Sequence, residues 1–240
     1  VAIFGVGAIG SGIALQLSMA GIKNFKFVDK GLVRECDIQR HFTFNKEQVG
    51  MSKVEALRDT LKLIDSEVVC QVFNQSINYD TKIDTILKDV DFVVNTLDEP
   101  YIGYTSMKIG RECFSKRLPM FVAGGFDAHL MSTGELIVPY ETPCVDCYVS
   151  YFSKSLADWK PSYNLNAIEE TNVEKGNFEV GGLSSMSLFS ISYAVISIID
   201  YIATNDARRN KGRGELLIDE MKITYLNIPK NPNCKTCGKE

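Results

Sequence analysis

Apolar and polar positions fall into blocks along the first half of the chain, and the period changes from block to block. Val1–Phe4 is an uninterrupted apolar run, which predicts a short strand buried on both faces. Ile9, Ile13, Leu17 and Ala20 then recur at helical spacing through Ala8–Ala20, with Gly21 placed to end that helix. Asn24–Val28 reads as the next strand and stops at Asp29. The alternation continues with helices over Lys53–Ile64, Tyr79–Leu87 and Ile102–Ser115, and strands over Val68–Phe73, Asp91–Asn95 and Met120–Ala123. Asp37–Phe44 reads as a turn or short helix, and two antiparallel strands are expected around His129–Met131 and Glu135–Val138. Such a pattern predicts an α/β fold with a doubly wound, Rossmann-like, mostly parallel sheet.

The alternation fails after Cys147. Residues 150–180 are polar and carry Pro161 and a mixed-charge run, which predicts a long crossover loop. Gly181 to Ile199 contains no charged residue and approaches the length of a bilayer span. Six serines interrupt it and Asp200 ends it, so a buried helix over 182–203 at a subunit interface is the expectation, with no membrane contact. Strands near Glu215–Ile218 and Ile223–Asn227 follow. The expected organisation is one domain: a nucleotide-binding core over 1–147, the crossover over 148–181, and a C-terminal part over 182–240.

The formal charge of −4 argues against a nucleic-acid groove. Four of the seven cysteines form two Cys-x-x-Cys pairs, Cys144/Cys147 and Cys234/Cys237, while Cys36, Cys70 and Cys113 stand alone. That usage suits thiolate ligands in a reducing compartment and predicts a cytoplasmic protein. Two turn-embedded pairs supply a closed, structural zinc site, with no open position for catalysis. It would tie the C-terminal tail to the main domain.

Gly5-Val6-Gly7-Ala8-Ile9-Gly10 lets backbone approach phosphate oxygens at a helix N-terminus, and Asp29 at the next strand end can accept bonds from a ribose. By itself this pattern fits NAD, FAD and ATP sites alike. Arg40 and Lys53 add two cations that can neutralise a triphosphate. Asp98, just past a buried strand end, can hold Mg²⁺. An NAD-dependent oxidoreductase accounts for the glycines and Asp29, but not for the cysteine pairs or the Asp98 segment.

The ordered set resembles the ubiquitin-activating enzyme superfamily in its compact ThiF, MoeB and MccB form. The resemblance rests on GVGAIG, VDKGLVRECDIQRHF, VGMSKVEAL, FVVNTLDEP, GELIVPYETPCVDC and PNCKTCG, and covers nearly the whole chain. It implies ATP, Mg²⁺ and Zn²⁺ as cofactors, and adenylation of the C-terminal carboxylate of a ubiquitin-fold sulfur carrier or a ribosomal peptide. Carried over, Asp29 binds the ribose, Arg40 and Lys53 the phosphates, and Asp98 the magnesium. It also implies a homodimer. The chain departs from the family pattern at Gly31, where a second acid is usual, at Asp37, where Asn is usual, and at His41, where Gln is usual. The arginine that many members contribute across the dimer is not in the sequence. These departures allow a silent partner subunit as the alternative. No cysteine lies between Cys147 and Cys234, where thioester-forming members carry theirs, so adenylation without a cysteine step is expected. Asp98-Glu99-Pro100-Tyr101 looks more like the peptide-modifying, microcin-type branch than the molybdopterin branch.

Overall fold

The computed structural model describes residues 1–78, 80–99, 102–125, 130–155 and 183–238. A six-stranded sheet carries the fold. Its strands are β1 (Ala2–Phe4), β2 (Asn24–Val28), β3 (Val69–Phe73), β4 (Val93–Asn95), β5 (Met120–Val122) and β7 (Glu135–Ile137), in the order β3-β2-β1-β4-β5-β7. All neighbours are parallel except β5 with β7. Phe4 stands opposite both Val28 and Asn95, so three strand ends finish level with one another. Strand order reverses at β1, and a doubly wound sheet opens its binding crevice at that point.

Alternation along β1 explains the two layers. Ile3 enters a core with Phe25, Phe27, Val94 and Phe121, covered by α1 (Ala8–Met19), α2 (Lys53–Ile64) and a long helix, α6 (Ser184–Thr204). Ala2 and Phe4 enter the opposite core with Val93, Met120 and Ile137, covered by α3 (Asp84–Leu87), α4 (Ile102–Ser115) and α5 (Val145–Ser155). Gly21, at φ +101°, turns the chain out of α1 in the left-handed region that glycine adopts without steric cost. The second sheet is small and antiparallel: β6 (Leu130–Ser132), β8 (Gly214–Leu217) and β9 (Lys222–Tyr225), in the order β6-β8-β9.

Three expectations are corrected. The helix expected over Tyr79–Leu87 is the single turn α3, with Tyr79 outside the described residues. Asn78 and Thr81 bond to each other through backbone and side chain, and such local bonds compete with helix. The strands expected around His129–Met131 and Glu135–Val138 do not pair with each other, and His129 lies outside the described residues. β6 pairs with β8, and β7 pairs with β5. Thr133–Gly134 hands the chain between sheets: the Thr133 N–H donates to Gly214 O and the Thr133 hydroxyl accepts from Gly214 N–H, while Gly134 takes φ +78°. The polar stretch expected to begin at 150 opens instead with α5, which runs through position 147 and buries Val145 and Tyr148. Residues 156–181 of the expected crossover lie outside the described residues.

By length and composition α6 could cross a bilayer. One face, with Ser187, Ser190, Ile191, Ala194 and Ile198, is buried in the core. A Cβ on Gly12 of α1 would stand 2.4 Å from Ile191 Cδ1, so the two helices meet closely at this glycine. Leu188, Phe189, Ile196 and Ile202 lie on the exposed part of α6.

Candidate nucleotide and metal sites

The three glycines of the first turn serve different ends. Gly5 leaves β1 at φ +86°, and a Cβ there would stand 2.6 Å from Thr96 Oγ1. A Cβ on Gly10 would stand 2.0 Å from the Gly5 carbonyl oxygen. Thr96, just past β4, donates its hydroxyl to that carbonyl at 2.8 Å and its N–H to Phe4 O at 2.7 Å. Buried Asn95 fixes the other side, donating to Thr105 and Ser106 of α4 and accepting the Leu97 N–H. Gly5 and Gly10 thus answer to packing within the protein. Gly7 does not: a Cβ there would meet nothing within 4 Å. It is the N-cap of α1, extended, without a side-chain cap bond and without an acid in the first helical turn. The space above the helix N-terminus is open, and helix N–H groups and dipole favour an anion there.

Charged groups lie on the segments that follow β2 and β4. Asp29 accepts the Val6 N–H at 2.8 Å through one oxygen and the Gly31 N–H at 2.7 Å through the other. It therefore braces the glycine turn, while each oxygen keeps capacity for another donor. Arg40 ends the 3-10 turn Glu35–Gln39 and is half-buried, with no ion pair among the described residues. Lys53 is the first residue of α2; its side chain is 12% exposed and its Nζ lies 3.1 Å from Asp37 Oδ2. Asp37 is buried and also accepts the Arg34 N–H at 3.0 Å. Burial alone would raise its carboxyl; the Arg34 N–H and the Lys53 ammonium outweigh burial and hold it at about 2. His41 is buried beside it, its Nε2 3.6 Å from Asp37 Oδ1 and neither ring nitrogen hydrogen-bonded. Burial and the Lys53 charge bring its imidazole down to about 4, so it is neutral near pH 7. Asp98 follows β4 as an exposed carboxylate without an ion pair among the described residues. A lone open carboxylate suits Mg²⁺, which keeps most of its waters.

The four paired cysteines converge. Cys144 Sγ lies 3.8 Å from Cys147 Sγ and 3.5 Å from Cys234 Sγ, and Cys147 Sγ lies 3.5 Å from Cys237 Sγ; all four sulfurs fall within 4.8 Å of one another. Tetrahedral zinc with Zn–S bonds of ~2.3 Å separates its sulfurs by about 3.8 Å, so the set fits that metal. The Asn231 N–H donates to Cys147 Sγ at 3.3 Å. Asp146, between the first two ligands, takes a bidentate grip from Arg111 at 2.6 and 3.0 Å and accepts the Thr236 hydroxyl, tying one cysteine segment to the other. Burial pushes the thiols of Cys70 and Cys113 up to about 11 and about 12, which makes both poor nucleophiles.

The family pattern of ThiF matches residues 1–236. The chain belongs to the ThiF family. Ubiquitin-like modifier-activating enzyme 5 of Drosophila mojavensis is 32% identical over 158 residues, covering 61% of this chain and 39% of that protein. Adenylyltransferase and sulfurtransferase MOCS3 of Caenorhabditis briggsae is 26% identical over 100% of this chain and 55% of its own length. The chain thus spans about half or less of these curated relatives. E. coli MccB crystallised with ATP superposes with a TM-score of 0.76 at 21% identity, over 99% of this chain and 66% of that one. MccB in complex with N-formylated MccA gives 0.74 at 22%, over 99% and 67%. At that identity the likeness establishes the fold.

In this ThiF-family chain Asp29 is bonded to the glycine turn and Lys53 to Gly31 two residues beyond Asp29, while Arg40 lies at the end of the 3-10 turn after β2 and Asp98 on the segment that leaves β4. The four cysteines gather in a separate cluster. Sequence reasoning named Asp37 only as a departure and missed its bond to Lys53. It missed Asn95 and Thr96 as anchors of the glycine turn, and Asp146 as the brace of the cysteine cluster. Of these only Asp146 left a signal, an acid inside a Cys-x-x-Cys pair.

Proposed function

We propose that this chain is an ATP-dependent adenylyltransferase that activates the C-terminal carboxylate of a peptide or of a ubiquitin-fold sulfur carrier. The observation that carries this reading is the open space over Gly7 at the N-terminus of α1, with Arg40, Lys53 and Asp98 on the neighbouring segments. ThiF membership supports it. In the proposed reaction a carboxylate oxygen of the substrate attacks the α-phosphorus of ATP. The bond from that phosphorus to the bridging oxygen breaks, and pyrophosphate leaves with the electron pair. The carboxylate is already ionised near pH 7 and needs no general base. The amides of the glycine turn bind the phosphates, Asp29 orients the ribose, and Arg40 and Lys53 stabilise charge on the phosphoryl oxygens. Asp98 would hold Mg²⁺, which supplies further charge neutralisation when bound. The four thiolates would hold Zn²⁺ as a structural ion.

No cysteine stands between Cys147 and Cys234, so the reading ends at the acyl-adenylate without an enzyme thioester. The exposed apolar residues of α6 support a homodimer. The second reading, a silent subunit that binds nucleotide without turnover, rests on the departures from the family pattern at Gly31 and His41. Exchange of labelled pyrophosphate into ATP, with candidate peptides and small carrier proteins, separates the two. Substrate-dependent exchange that falls at least a hundredfold in Lys53→Ala is the expected result. ATP binding without exchange for any substrate would refute catalysis.

A further inference from the structure

Three residues that depart from the family pattern, Gly31, Asp37 and His41, all lie around one side chain, that of Lys53. Lys53 opens α2, and a side chain at a helix start leans back over the preceding segment. Its N–H donates to Gly31 O at 2.9 Å. A Cβ on Gly31 would stand 3.3 Å from Lys53 Cδ and 3.0 Å from Asp29 Oδ1, so the bare glycine leaves the lane in which the lysine stem lies. At the end of that lane Nζ meets Asp37 Oδ2 at 3.1 Å. Asp37 is itself fixed by the Arg34 N–H at 3.0 Å and by Arg34 Nη2 at 3.3 Å. His41 is buried beside the same carboxylate, its Nε2 3.6 Å from Asp37 Oδ1.

We propose that Asp37 is a positioning residue: its buried carboxylate fixes the Lys53 ammonium at the phosphate end of the cleft, through the lane Gly31 leaves open. This rests on the adenylation reading above. A lysine on a flexible stem gives up rotamer freedom when it is ordered. Here that ordering is complete before nucleotide arrives. An Asn at 37 could donate to a phosphate oxygen but offers the ammonium only a neutral acceptor; Asp gives up that donor and gains a fixed counter-ion. Phosphoryl transfer rests on positioning and charge, so an ammonium held in place acts mainly on turnover.

The test uses the full chain and Asp37→Asn, which keeps the size and the acceptor for the Arg34 N–H. A proton–nitrogen NMR correlation of lysine ammonium groups should show a protected Lys53 signal, assigned by its absence in Lys53→Met. That signal should vanish in Asp37→Asn. In pyrophosphate exchange, Asp37→Asn should lower kcat roughly tenfold or more. KM for ATP should stay level or fall, because a negative charge beside the triphosphate is gone. In a Lys53→Met background Asp37→Asn should change kcat no further. A Lys53 signal that survives Asp37→Asn, an unchanged kcat, or an equal loss in both backgrounds would overturn the inference. A protected Lys53 signal in wild-type protein that shows no exchange with any substrate would overturn the adenylation reading and leave the anchoring standing.

Discussion

Gly7 and Gly10 sit three residues apart in one motif, and the structure gives them opposite reasons for being glycine. A methyl on Gly10 would stand 2.0 Å from Gly5 O and 2.7 Å from Thr96 Oγ1. Gly5 O also accepts the Thr96 hydroxyl, so it has little freedom to move away. Overpacking of this kind costs about 3 kcal/mol at the upper end of its usual range. Replacing a helical glycine by alanine returns roughly 1 kcal/mol of propensity. Gly10→Ala should therefore lose about 2 kcal/mol, which for a chain of this size lowers Tm by roughly 4–8 °C. Gly7→Ala meets nothing within 4 Å. It costs only the weak preference of an N-cap for glycine over alanine, about 0.5 kcal/mol and at most ~2 °C. Its methyl would instead stand where the phosphates are proposed to sit. Thermal unfolding with and without MgATP should show Gly10→Ala melting low. Gly7→Ala should melt near wild type with no ligand-induced rise. A Gly7→Ala protein that keeps the full rise would refute the phosphate assignment. A Gly10→Ala protein as stable as wild type would refute the packing account.

His41 sets an acid sensitivity. Its folded value of about 4 lies below the ordinary 6.5 because of burial and the nearby Lys53, Arg40 and Arg34 charges, with Asp37 opposing them. Between those values the unfolded chain binds a proton that the folded chain does not, so stability is full above about pH 6.5 and falls as pH drops toward 4. The loss approaches roughly 3 kcal/mol, and His41→Gln should flatten it in urea unfolding compared near pH 7 and about pH 4.5. Cys237→Ser should release metal and lower Tm by several degrees; full metal content with an unchanged Tm would contradict the zinc assignment. Ile196 is 70% exposed on α6, so Ile196→Glu should leave Tm nearly unchanged while shifting a dimer toward monomer in sedimentation.

Much of the fold was legible because buried parallel strands and amphipathic helices have distinct periods. Val1–Phe4, Asn24–Val28 and Lys53–Ile64 were readable to within a residue or so. Glu135–Ile137 was readable as a strand but not as the partner of β5, since pairing depends on the Thr133–Gly134 crossing between sheets and not on any local period. Val145 and Tyr148, with Tyr151 and Phe152, do carry helical spacing; the polar stretch beyond them masked it. The glycines, Asp29 and the cysteine pairs were legible as site candidates because backbone approach and thiolate ligation leave recognisable spacings. The Asp37–Lys53 pair was not, because two residues sixteen positions apart on a 3-10 turn and a helix start share no periodicity.

The cysteine cluster joins positions 90 residues apart, Cys144 to Cys234 and Cys147 to Cys237. With metal bound, everything between them becomes a closed ring: most of α5, the crossover, α6, β8 and β9. A cut in the backbone anywhere inside that ring frees no fragment, since both new ends stay leashed to the same ion. A chain nicked in its crossover is therefore held twice, by the core packing of α6 and the pairing of β8 with β6 and, with metal bound, by the ion, so a chelator removes only the second hold.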